Sequence, residues 1–258
     1  MPHSKTTSRL RKRQSPLSAS CPSHLQKESC IKIGGILCNS LIDFPGRPAL
    51  VIFMQGCDWR CPYCHNARLI PEDAEDTVDE DNVFEILRER PQAMRNLVVT
   101  GGEPTKQDGL LRFLEKAKMR DIPVKLDTNG SNPNALRQVI EKDLVAYVAL
   151  DVKGPVERYA RYCGTGHCGD AITESICILL ENRIDYEFRT TVVPALHSPK
   201  DFESIGRMLK GGRHLFLQPF RSRHALRARL RLSREPSPEF IDVCADYARR
   251  WIPTTIRW

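Results

Sequence analysis

Six short apolar runs, each followed by a polar or amphipathic stretch, constrain this chain more than any single residue does. The runs are 49–54, 97–100, 123–127, 145–151, 186–193 and 214–219. The stretches 79–90, 109–120, 134–142, 171–182 and 200–210 carry apolar residues at helical spacing. Leu110, Leu111, Phe113, Leu114 and Ala117 form one such face. Strands alternating with helices predict βα units, hence an α/β fold with a parallel sheet and outer helices. Six units fall short of the eight that close a barrel. The expectation is a partial (β/α)6 TIM-like barrel, with its chemistry at the carboxyl ends of the strands.

The polar motifs fall where that fold would need them. Cys57, Cys61 and Cys64 follow the first run, and Thr100-Gly-Gly-Glu-Pro-Thr105 follows the second. Asp127-Thr-Asn-Gly130 ends the third, Asp151-Val-Lys153 ends the fourth, Arg189 lies within the fifth, and Gln218-Pro-Phe220 ends the sixth. Polar residues placed only for solubility would have no reason to share one rim.

The cysteines are spaced C-x3-C-x2-C, with Tyr63 before the last thiol. Three thiolates on one loop can hold three corners of a cubane iron–sulfur cluster and leave its fourth iron free to bind something else. The alternative is a zinc knuckle with His65 as fourth ligand. Cys64 and His65 are adjacent, however, which closes a tetrahedron poorly, and no second ligand pair follows at zinc-finger spacing.

The triad with its aromatic spacer resembles the signature of the radical S-adenosylmethionine (SAM) enzymes. The resemblance implies a [4Fe-4S] cluster on Cys57, Cys61 and Cys64. Its open iron would chelate the amino and carboxylate groups of SAM, and one electron would yield methionine and a 5′-deoxyadenosyl radical. It also implies the partial barrel already expected. Gly101-Gly102-Glu103-Pro104 resembles the family's motif for the SAM ammonium, where backbone carbonyls and the Glu accept hydrogen bonds; a plain turn is the bland alternative.

Leu126-Asp-Thr-Asn-Gly130 and Leu150-Asp-Val-Lys153 resemble segments of the glycyl-radical-enzyme activases. By position, Asp127, Thr128 and Asp151 would bind a monovalent cation near the SAM carboxylate, oxygen ligands suiting such an ion. Lys153 and Arg189 would hold the SAM carboxylate or ribose, unless they only neutralise Asp151 and Glu187 in ion pairs. Tyr63 and the Val192-Val193 pair would flank adenine, or simply fill core. The opening from Ile33-Gly-Gly-Ile36 through Ser40-Leu-Ile-Asp-Phe-Pro-Gly46 is similar to a short branch of the anaerobic ribonucleoside-triphosphate reductase activating proteins. This resemblance implies a glycyl radical enzyme as partner, anaerobic ribonucleotide reductase first and a pyruvate formate-lyase-like enzyme second, with flavodoxin or ferredoxin as reductant. A radical SAM reaction on a small molecule, or a metal-binding module without catalysis, are the other classes.

Charge argues against nucleic acid. Residues 1–30 carry Lys5, Arg9, Arg11, Lys12, Arg13 and Lys27 against Glu28, a net +5 of the chain's +7. That segment is rich in Ser and Pro and lacks apolar periodicity, so it reads as a disordered basic tail before one radical SAM domain over 31–258. No apolar signal segment follows the basic start and no run is long enough to span a membrane, so clustered thiols point to metal in a reducing cytoplasm. The other seven cysteines, including Cys163 and Cys168 with His167 between them, read as incidental. Arg161-Tyr-Cys-Gly164 is a weak echo of a glycyl-radical loop, with Thr165 where an aromatic residue belongs. Arg221, Arg223, Arg227, Arg229, Arg231 and Arg234 form a basic stretch beyond the last run, either a solvated face or a docking surface for an acidic partner.

Overall fold

The structure, a computed structural model, describes residues 31–73, 77–166 and 168–258. The basic tail and His167 lie outside the described residues. The strands are β1 (Ile33–Ser40), β2 (Ala49–Met54), β3 (Leu97–Gly101), β4 (Val124–Thr128), β5 (Tyr147–Asp151), β6 (Asp185–Val192), β7 (Leu215–Pro219) and β8 (Thr254–Ile256). They form a single sheet in chain order. Neighbours from β2 to β8 run parallel, while β1 lies antiparallel on β2. With β1 and β8 as its two edges, the sheet is not a closed barrel.

All six expected strands are present, within a residue or two at their ends. The sheet nonetheless has eight strands rather than six. β1 escapes the sequence reading because it contains Gly34 and Gly35 and exposes much of its length, so it has no apolar run to detect. β8 is three residues long and closes the parallel series against β7.

Each crossover helix forms because one stripe of it is apolar. In α2 (Leu110–Lys118), Leu110, Phe113, Leu114 and Ala117 recur at i, i+3, i+4 and i+7, and all are buried. Asp79 caps α1 (Glu80–Arg88), and Asn132 caps α3 (Pro133–Glu141) by accepting from Ala135 N. A short α4 (Tyr159–Cys163) precedes α5 (Gly169–Leu180), with α6 (Pro199–Met208), α7 (Ala228–Arg231) and α8 (Pro238–Arg249) beyond.

Alternation along the strands sorts residues onto two faces. Leu50, Ile52, Leu97, Val99, Val124, Leu126, Phe188 and Leu217 pack against the helices in the main core. The opposite face has a small apolar plug at the amino ends of β2 and β3, made by Phe44, Ala49, Val51 and Val98. Toward the carboxyl ends the same face turns polar. Gly164 ends α4 in a left-handed turn (φ 74°) that folds the chain back and brings Cys168 beside Cys163, both Sγ atoms lying against Thr165 O. Both cysteines are buried, as small core residues.

Candidate active site

The loop after β2 carries Cys57, Cys61 and Cys64 and is fastened on several sides. Gly56 N and Cys57 N donate to Leu69 O (2.8 Å) and Ile70 O (3.1 Å). Arg60 N donates to Cys163 O (2.9 Å), and Arg227 N to Pro62 O (2.9 Å). Trp59 packs edge-on against Tyr159. A Cβ on Gly164 would lie 2.2 Å from Arg60 O, so only glycine lets this neighbour approach. The imidazole of His65 stacks on Phe220 and its Nε2 accepts from Arg221 N (3.4 Å), so it is already engaged outside the thiol triad.

Burial pushes the Cys57 thiol up to about 12, with Glu103 adding to the rise, and the Cys61 thiol up to about 11 despite the opposing charge of Lys153. Cys64 is raised as well, again by burial. The free thiols are thus held protonated, and metal binding there must release protons.

β3 leads into the Gly101-Gly102-Glu103 turn. Gly101 has φ 120°, and a Cβ there would lie 2.2 Å from Met54 N. A Cβ on Gly102 would lie 2.1 Å from Gly56 O. The two glycines therefore let the turn lie directly on the cysteine loop, where Gly102 N donates to Met54 O and Glu103 N to Gly56 O, both at 2.8 Å.

The Glu103 side chain is 1 % exposed. Its Oε1 accepts from Thr105 N (3.0 Å), Thr105 Oγ1 (2.5 Å) and Thr128 Oγ1 (2.7 Å), while Oε2 accepts only from Asn129 N (2.7 Å). A carboxylate oxygen has about two lone-pair sites, so Oε2 keeps one acceptor direction. Burial raises this carboxyl to about 7, against the lowering pull of the hydroxyl and amide donors. An ammonium placed beside it would drive it back to the carboxylate.

Charged residues line the polar end of the inner face. Asp127 Oδ1 accepts from the Lys125 ammonium, and Oδ2 from Arg189 Nη1 (2.9 Å). Arg189 Nε donates to Asp151 Oδ1 (2.9 Å), and Lys153 Nζ lies 3.6 Å from Asp151 Oδ2. Burial would raise Asp127, but Arg189 and Lys125 outweigh it and hold the carboxyl below its usual range. Lys153 and Arg189 are likewise held charged: burial opposes this, and carboxylates outweigh it, Asp151 for Lys153, Asp127 and Asp151 for Arg189. All four oxygens of Asp127 and Asp151 thus face side-chain cations, and Thr128 Oγ1 is committed to Glu103 and Gly130 N. The oxygens expected to take a monovalent cation are already answered by Lys125, Arg189 and Lys153. Glu187 does not pair with Arg189; it takes Arg257 in a two-point contact at 3.1 and 3.0 Å.

These elements meet at one cavity of about 190 Å³. All twelve candidate residues line it: Cys57, Cys61, Cys64, Tyr63, Gly101, Gly102, Glu103, Asp127, Thr128, Asp151, Lys153 and Arg189. Val192 and Val193 do not; they are fully buried in the main core. Residues the sequence reading passed over are Asn129, Lys125 and His197. Asn129 Nδ2 lies 3.8 Å from Cys57 Sγ and 3.3 Å from Asp58 Oδ1. His197 accepts from Val193 N at Nδ1, so its Nε2–H donates to Lys153 O (2.9 Å) and props the Lys153 backbone. Burial lowers that imidazole to about 4, which keeps it neutral.

The donor set fits an iron–sulfur cubane better than a single ion. Three thiols share the cavity wall, the glycine turn leaves no side chain between them and Glu103, and cations wait opposite. Among the described residues no three His, Cys, Asp or Glu side chains converge on one point, whereas a cubane takes each thiolate at a separate corner.

Residues 51–209 match the model of the radical SAM superfamily. A protein of Methanocaldococcus jannaschii, provisionally named as a glycyl-radical enzyme activating enzyme, is 33% identical over 198 residues, covering 75% of this chain and 81% of its own. Pyruvate formate-lyase-activating enzyme of Clostridium pasteurianum is 26% identical over 195 residues, 71% of this chain and 78% of its own. Streptococcus suis SuiB, solved with S-adenosylmethionine bound, superposes with a TM-score of 0.61 at 11% identity, covering 79% of this chain and 48% of that one, a likeness of fold. A fastened thiol loop, a glycine turn laid on it and a family match spanning both lead to one assignment: the chain belongs to the radical SAM superfamily, among its glycyl-radical enzyme activating enzymes, a family that works with a [4Fe-4S] cluster and S-adenosylmethionine.

Proposed function

We propose that this protein installs a glycyl radical on an anaerobic ribonucleotide reductase. The observation that carries the proposal is the meeting of the three thiols, the Gly101-Gly102-Glu103 turn and the Asp127–Arg189–Asp151–Lys153 array at one cavity. When bound, the cluster supplies one electron to SAM, whose cleavage yields the hydrogen-abstracting species. The chain's own residues bind and orient. Cys57, Cys61 and Cys64 hold the cluster. Oε2 of Glu103 and the Gly101 and Gly102 carbonyls receive the SAM ammonium. Lys153 and Arg189 meet its carboxylate or ribose, with Asp127 and Asp151 fixing the Arg189 fork. Tyr63, buried and beside Lys153, walls the cavity from water.

The substrate glycine arrives on another protein, since a radical-loop motif is lacking here: Arg161-Tyr-Cys-Gly164 is built into α4 and its turn, and buried Tyr162 and Cys163 anchor it. The similarity to the pyruvate formate-lyase-activating enzyme supports a second reading, in which that enzyme type is the partner. Flavodoxin or ferredoxin is the proposed electron source. Among the described residues no helix is long and apolar enough to cross a membrane. The test is electron paramagnetic resonance of anaerobic mixtures with each candidate. A glycyl doublet on the reductase alone supports the proposal; a doublet only on pyruvate formate-lyase replaces the partner. No 5′-deoxyadenosine from reconstituted protein given SAM and dithionite would sink both readings.

A further inference from the structure

The segment between β7 and α8 contains six arginines and one acid, Glu235, within residues 221–235. Its neck is closed on itself: Glu235 accepts from Ser222 N (2.8 Å), Ser222 Oγ (3.2 Å) and Arg221 Nη1 (3.2 Å). Ala225 and Leu230 are buried beneath it, and Arg231 reaches back to the carbonyls of Ala225 and Leu226. The result is a compact, self-packed surface loop. Two of its arginines, Arg221 and Arg231, are consumed in holding it together. Arg223, Arg227, Arg229 and Arg234 are exposed, and none forms an ion pair among the described residues. Leu232, 91 % exposed, stands among them.

The loop's position gives these charges a use. Arg227 N bonds to Pro62 O inside the thiol loop, and Arg221 N bonds to His65, whose ring lies on Phe220. The unpaired guanidinium groups are therefore displayed from a platform fixed to the rim of the cavity. Four like charges held together repel one another, which is costly unless an anionic surface answers them. Residues 221–235 include no Phe, Tyr or Trp on which bases could stack, which disfavours single-stranded nucleic acid.

We infer that this arginine loop is the docking surface for a carboxylate-rich patch on the protein whose glycine is activated. The inference rests on the activase reading and names the contact that reading leaves open. Asp and Glu side chains on the partner pair with Arg223, Arg227, Arg229 and Arg234 while Leu232 enters a small apolar recess. Docking there brings the partner's glycine loop over the cavity mouth, and the opposed charges speed the encounter in a salt-dependent way.

The test compares wild type with R223E/R229E/R234E, none of which touches the cavity or the thiol loop by its side chain. Two quantities are measured from about 20 to about 300 mM KCl, over which the screening length falls from roughly 20 Å to about 6 Å. They are glycyl-radical formation on anaerobic ribonucleotide reductase, and dithionite-driven 5′-deoxyadenosine formation without any partner. The expected result is a loss of about tenfold or more in radical formation at low salt, shrinking as salt rises, with unchanged partner-free cleavage. Equal radical formation by both proteins overturns the inference and leaves the activase reading standing. Equal loss of both activities also overturns it, by showing that the loop acts only as a brace for the thiols. Wild-type protein that cleaves SAM yet places no radical on the reductase or on pyruvate formate-lyase removes the reading beneath the inference. Binding of a poly-dT oligonucleotide that the triple variant loses, with radical formation intact, assigns the loop to nucleic acid instead.

Discussion

The two faces of the sheet solve burial in opposite ways. The outer face is apolar over most of its length and is covered by helices. The inner face is apolar at the Phe44 plug on β2 and β3, while the neighbouring strands β4, β5 and β6 carry Lys125, Asp127, Asp151, Glu187 and Arg189 on it. Both surfaces lose water, but only the second strips hydration from charges, a cost that ion pairing seldom repays in full. The plug shows that this chain can fill its barrel with hydrocarbon where nothing else is asked. The charges on the neighbouring strands forgo that stability, and Asp127, Asp151 and Arg189 among them line the cavity.

Asp127→Ala should have the largest effect on that contrast. It leaves Lys125, 1 % exposed, without its carboxylate. The expected loss is about 3–5 kcal/mol in urea unfolding. Phe188→Ala on the outer face should cost a similar ~3–5 kcal/mol by leaving a cavity. The faces part company when repaired. Lys125→Met with Asp127→Leu should recover most of the lost stability, yet calorimetry on the reconstituted protein should find SAM binding still impaired. Normal SAM binding by that double variant would break the contrast, reducing the inner charges to ballast.

Glu103 sharpens it through pH. Its folded carboxyl sits near 7 against an ordinary 4.5. Between those values the folded protein holds a proton that the unfolded chain has released. The contribution is therefore fully present below about pH 4.5 and is lost as pH rises toward 7. The ligand-free protein should lose roughly 3 kcal/mol at most over that window, and Glu103→Gln should flatten the trend. Denaturant midpoints at pH 5 and 7.5 measure it; parallel profiles for both proteins would refute the assignment. SAM binding near pH 6.5 should release a proton, visible as a buffer-dependent heat.

Asn129→Ala should have the smallest effect. Losing the amide beside Cys57 Sγ removes a donor that favours the more negative, reduced cluster. The midpoint potential should fall by on the order of 40 mV, equivalent to roughly 1 kcal/mol for one electron, with the fold unchanged. A redox titration followed by spectroscopy reads this directly, and an unmoved potential would make Asn129 a loop residue only.

What could be read without coordinates was whatever repeats or clusters locally. Apolar runs announced six strands, and their ends announced the rim, because alternation and turn chemistry act over a few residues. Lys125 was within reach, since it lies two positions before Asp127 on the same strand face, but a lysine inside an apolar run passes for an exposed exception. Asn129 against Cys57, Arg257 on Glu187 and Pro62 under Arg227 join distant parts of the chain, and no local pattern encodes such meetings. The glycine-bearing first strand lacked the hydrophobic contrast that makes a strand visible.

Strand order that follows chain order lets each βα unit settle on the one made before it, with little loop-closure cost. The shelter around the sulfurs does not follow that order, since Arg60 waits for Cys163 and Pro62 waits for Arg227. During synthesis, then, three bare thiols emerge long before the walls that will guard them. The thiol loop is therefore fully fastened only once residues as late as Arg227 have been made.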